Sequence, residues 1–101
     1  MRRAALFGGK TKPGALVNVS ATTPGSTLSL SWEAPTTGGA PEYYEGRTEK
    51  NMPIGSGIGW VFYGKVFTRT QNISLNSTYY YQIRAVNSAG TGPISSGSVE
   101  S

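Results

Sequence analysis

The chain has 101 residues, enough for one domain and too few for two. Hydrophobic residues make up 37% and charged residues 14%, which is too apolar and too weakly charged for a disordered chain, while Gly 14 and Pro 6 promise frequent turns. It holds no Cys, His or Asp, which removes thiolate nucleophiles, imidazole bases, disulfides and nearly every zinc, copper or haem site.

The first residues read as a basic flexible arm over 1–13. Arg2, Arg3, Lys10 and Lys12 carry the entire net charge of +4, and Leu6 and Phe7 are its apolar members. From Pro13 on, Arg47, Lys50, Lys65, Arg69 and Arg84 balance Glu33, Glu42, Glu45, Glu49 and Glu100. The apolar stretch Ala4–Phe7 is shorter than the ~7 residues a secretory leader uses. No apolar run approaches the ~20 residues of a membrane span.

After the arm, 14–101 reads as a series of short strands. "ALVNVSAT" places Val17, Val19 and Ala21 on one face, and "TLSLSWEA" places Leu28, Leu30 and Trp32 inward with Ser29, Ser31 and Glu33 outward. "TPGS" turns between them and "APTTGGAP" is a loop. "EYYEGRTE" resumes as a strand, "KNMPIGSGIG" is a long loop whose "GSGIG" reads as mobile, and "WVFYGKV" and "FTRTQNI" are two further strands. In "STYYYQIRAVNSAGTGP" the inward face holds Tyr79, Tyr81, Ile83 and Ala85; Tyr80, Gln82, Arg84 and Asn87 do not share it. "ISSGSVE", poor in apolar residues, closes the series. These are strands at the spacing of a sandwich, with no helical stripe.

Several anchors in this order resemble the fibronectin type III domain over about residues 13–101: Pro13 before the first strand, then Trp32-Glu33-Ala34-Pro35, the "TTGGAP" loop and "TYYYQIRAVNSAGTGP". The resemblance implies an all-β, seven-stranded, immunoglobulin-like sandwich. Its structural core would include Trp32, Leu28, Leu30, Tyr79, Tyr81 and Ile83. Tyr79 would be the tyrosine corner, its hydroxyl donating to backbone near Ile73 to Leu75. The loops 33–41 and 87–93 would lie side by side at one end. The third strand departs from the pattern at Glu45, Gly46 and Arg47.

Motifs for chemistry are weak. "FGGKT" lacks the spacing and preceding strand of a phosphate loop, and "GSGIG" lacks dinucleotide spacing. Glu42 and Glu45 fall on opposite faces of a strand, and a chain without Asp makes a poor calcium loop. Asn18, Asn72 and Asn76 head glycosylation sequons. Arg47, Lys65, Arg69 and Arg84 lie among aromatics, where stacking on a sandwich face explains them better than nucleic acid, because the body is neutral.

The expectation is therefore a non-enzymatic module with no cofactor or metal. It would dock on a protein partner or larger assembly through Arg2, Arg3, Leu6, Phe7, Lys10 and Lys12. Leaderless, Cys-free, Gly/Ser/Thr-rich copies resemble those on tailed-phage virion proteins, so the expected setting is a virion or the extracellular space. The competing expectation is a spacer or binding module cut from a bacterial extracellular enzyme or a cell-surface receptor. Carbohydrate or a cell surface stays open as a partner class.

Overall fold

The computed structural model describes residues 11–101. The described residues form strands and no helix: β1 Val17–Thr22, β2 Thr27–Glu33, β3 Tyr43–Lys50, β4 Val61–Gly64, β5 Thr68–Asn72, β6 Thr78–Asn87, β7 Gly90–Thr91 and β8 Ser95–Glu100. None of these residues belongs to a helix long and apolar enough to cross a membrane. The strands form two antiparallel sheets, one in the order β1-β2-β5 and the other in the order β4-β3-β6, with β7 and β8 both pairing β6. The last edge is thus split in two where the sequence implies one strand. Pro93 lies between the pieces, and a residue without an N–H cannot donate to the ladder.

The core lies between the sheets. Leu28, Leu30 and Trp32 of β2 alternate with half-exposed serines, and Tyr79, Tyr81, Ile83 and Ala85 of β6 meet them from the other side. Leu28, Leu30 and Ile83 are sealed from solvent. Trp32 is 3% exposed and packs its ring 5.7 Å from Tyr44 and 5.9 Å from Tyr63.

The register of β3 follows from this packing. Tyr44 and Gly46 are buried, and the Tyr63 ring packs against Gly46, so that an added Cβ would sit 2.6 Å from Tyr63 Cζ. The glycine that breaks the usual residue pattern is there to admit a ring from the neighbouring strand. Tyr81 covers its cross-strand partner Gly97 in the same manner, with Cζ 2.7 Å from where a Cβ would be.

Tyr79 turns its hydroxyl back to the chain upstream. The hydroxyl accepts rather than donates: the Ser74 N–H reaches it at 2.8 Å. At the same end, Ile73 N–H donates to Ser26 O at 2.9 Å, which ties the end of β5 to the start of β2.

Candidate functional site

Two regions gather side chains beyond what the core needs. The first is the end of the sandwich where the loops 33–41 and 87–93 meet. Asn87 is the buried polar residue of this region, 6% exposed, and not a member of an outward face. Its amide NH2 donates to Thr11 O at 2.7 Å and to Ala40 O at 3.3 Å, while its Oδ1 accepts Ala89 N–H at 2.8 Å. It thereby joins both loops to the incoming chain.

That incoming chain is fitted into a slot. Gly39 N–H donates to Lys12 O at 3.1 Å, Gly14 N–H donates to Thr37 O at 3.0 Å, and Pro13 bridges to Gly38. Glycines line the slot because the backbones nearly touch: a Cβ on Gly92 would lie 2.6 Å from Pro13 O. Of the arm read over 1–13, Thr11, Lys12 and Pro13 are therefore built into the sandwich. Sequence reading missed this because main-chain atoms make most of the bonds. Of the arm's candidate partner-binding residues, Lys12 is exposed and lays its aliphatic stem over Gly90. Arg2, Arg3, Leu6, Phe7 and Lys10 lie outside the described residues.

The second region is the outer face of the larger sheet. Register places Glu45 opposite Arg84, Arg47 opposite Gln82 and Glu49 opposite Tyr80. Arg84 Nε pairs with Glu45 Oε2 at 2.6 Å. Arg47 donates from Nε to Gln82 Oε1 at 2.7 Å and from Nη1 to Ile58 O at 2.5 Å. Trp60 lies against both guanidinium groups, with Arg84 Cζ 3.9 Å and Arg47 Cζ 4.2 Å from its ring centroid. Trp60 precedes β4 and Lys65 follows it, so neither is a strand residue.

These contacts hold the loop 51–60 against the sheet. At its start, Asn51 N–H donates to Thr78 O at 2.7 Å and Asn51 Oδ1 accepts Thr78 N–H at 2.9 Å. At its end, Ile58 O and the Trp60 ring are held by Arg47. The long loop is anchored at both ends, and Ile58 within its "GSGIG" stretch is one of the anchor points. Between it and β6–β8 runs a groove of about 340 Å³, lined by Pro53, Ile54, Tyr80, Gln82, Ser96 and Ser98, among others.

The side of the sandwich at β4 and β5 exposes Val61, Phe62, Val66 and Phe67. Phe62 packs on Tyr43 at 5.1 Å and Phe67 on Tyr44 at 5.7 Å. Burial raises the Tyr44 and Tyr63 phenols above their ordinary range, and for Tyr63 the charge of Arg69, 4.7 Å from the ring, opposes the rise in part. Both phenols therefore stay neutral at physiological pH and act as packing groups. Asn18, Asn72 and Asn76 are all exposed.

No family model matches the chain, and no curated protein matches it in sequence. Solved structures do match. The chicken CNTN1 FN1–FN3 structure superposes with a TM-score of 0.73 at 23% identity over 89% of this chain. The chain has the fibronectin type III fold. It spans 32% of that fragment, about one of its repeats. A fibronectin type III variant described as FN3tt mut matches with a TM-score of 0.70 at 21% identity, over 90% of this chain and 97% of the other. The FN5 domain of Drosophila Lar matches at 0.66 and 20%, over 88% and 96%. The likeness is one of fold; the two regions described above are read from this chain's own residues.

Proposed function

We propose that the chain is a non-catalytic docking module that attaches to a larger assembly through its basic N-terminal arm. The observation that carries this reading is the lock at the root of the arm. Thr11, Lys12 and Gly14 are bonded to both loops, so the arm's root is fixed to the loop end of the sandwich. The arm itself places four cations and no acid in its first twelve residues, a composition suited to an acidic protein surface.

The assembly we favour is a virion, with the domain as a capsid or tail decoration. Its Cys-free, Gly-, Ser- and Thr-rich composition supports this setting. A second reading, a spacer or binding module of an extracellular enzyme or of a cell-surface adhesion protein, is supported by the chain path. Thr11 lies beside Asn87 at one end of β6, and Ser101 is bonded to Ser77 at the other.

The test is co-sedimentation of the full chain, and of a chain lacking residues 1–10, with purified virions or particles from the source. The truncation spares the lock and should stay folded. It should lose most of its association, and the full chain's association should weaken as salt rises, since exposed charges are screened within about 10 Å at 0.1 M. Full retention of the truncated chain would move attachment onto the sandwich.

A further inference from the structure

The outer-face groove combines three properties that together specify a ligand class. It is preformed, because its loop wall is anchored at Asn51 and Ile58 and its floor is the β6–β8 ladder. It holds uncommitted hydrogen-bonding groups: the hydroxyls of Tyr80, Ser96 and Ser98 make no hydrogen bond within the described residues, and neither does the NH2 of Gln82, whose carbonyl oxygen is taken by Arg47. Among the described residues, no Lys, Arg or Glu lines it. The guanidinium of Arg47, which bonds the lining residue Gln82, is also engaged by Ile58 and Trp60.

We propose that this groove is a binding subsite for a neutral carbohydrate, with one sugar ring laid on Tyr80. The C–H face of a pyranose packs on an aromatic ring, and its hydroxyls both donate and accept. Here Gln82 supplies a donor, and Tyr80, Ser96 and Ser98 supply groups of either sense. Pro53 and Ile54 form the apolar wall against the ring's other edge. A volume of about 340 Å³ lies at the small end for ligand sites and takes about one or two sugar rings. An anionic glycan meets no cation among the described lining residues. An apolar peptide would strand the four polar groups against itself. The lining residues named here all lie outside the arm in sequence, so the proposal is tested independently of how the domain is attached.

The experiment is a titration of the isotope-labelled full chain, followed by amide correlation spectra, with maltotriose, cellotriose, mannotriose and triacetylchitotriose. A heparin hexasaccharide and a proline-rich decapeptide serve as competing ligand classes. At least one neutral trisaccharide should bind at millimolar concentration and shift the amides of Tyr80, Gln82, Ser96, Gly97 and Ser98. Tyr80→Ala should weaken that binding at least tenfold. Ser98→Leu, which fills the groove from an exposed strand position, should abolish it while the spectrum stays dispersed, so that loss of binding is separated from loss of fold. The proposal is overturned if no neutral trisaccharide shifts these amides at tens of millimolar. It is equally overturned if both variants bind like the parent, or if the heparin fragment or the peptide gives the stronger response at the same residues.

Discussion

The two faces of the larger sheet share their strands and differ in what holds their side chains. On the inner face Tyr44, Tyr63, Tyr79 and Tyr81 are buried around Trp32, and Gly46 and Gly97 leave room for two of the rings. On the outer face Trp60 is held by Arg47 and Arg84, Arg84 is held by Glu45, and Arg47 by Gln82. The inner face draws its energy from area removed from water, which accumulates over whole rings. The outer face draws on exchanges between polar groups and solvent, each contributing a fraction of a kcal/mol. The first makes the domain stable. The second fixes a loop and a groove in place, and geometry of that kind matters to recognition more than to stability.

The largest expected difference between the faces is at the tryptophans. Trp32→Ala should cost about 3–5 kcal/mol, a large share of the ~5–15 kcal/mol that holds a domain of this kind together. A urea midpoint close to the parent's would remove Trp32 from the core and void the contrast. Gly46→Ala should cost about 1–3 kcal/mol, because the new methyl displaces the Tyr63 ring; a neutral result would mean that the ring lies elsewhere. Tyr79→Phe removes the acceptor of Ser74 N–H and should cost about 1 kcal/mol. Tyr80→Phe, on the outer face, should leave the thermal midpoint nearly unchanged. Equal losses at the two tyrosines would contradict the register of β6. Trp60→Ala, also on the outer face, should cost about 0.5–1 kcal/mol per lost cation contact. Its signature is local: amide exchange should speed up within 51–60 and stay slow in β6. A global loss comparable to that of Trp32→Ala would mean that the outer face is a second core.

Much of the inner face is legible in the sequence because its signal is periodic. Leu28, Leu30 and Trp32, then Tyr79, Tyr81, Ile83 and Ala85, alternate with polar residues, and period-2 alternation is the mark of a strand with one buried face. Gly46 is illegible by the same route. It breaks the alternation, and its reason, the Tyr63 ring, comes from a strand fifteen or more residues away. The outer face is legible only as a class. Arginines near aromatics announce stacking, but Trp60 reads as a strand residue until the structure shows it ahead of β4. The lock at Thr11–Gly14 leaves almost no trace, since backbone carbonyls and amides carry no residue signature. Asn87 is its one side-chain component, and it sits in a run that reads as an ordinary loop.

The lock has a mechanical consequence. The chain enters beside Asn87, and Ser101 sits by Ser74 and Ser77 at the far end of β6. Tension between these points runs along the strands, with β1 pulling on the smaller sheet and β8 on the larger. Sliding the sheets past one another requires many ladder bonds to fail together. The bonds of Thr11, Lys12 and Gly14 lie upstream of β1 and are loaded one after another. They should yield first, lengthening the tether by a few residues while the sandwich stays closed. A pulled domain of this design has a short, resealable fuse at its entry, and a force–extension trace should show it as a small step before the main rupture.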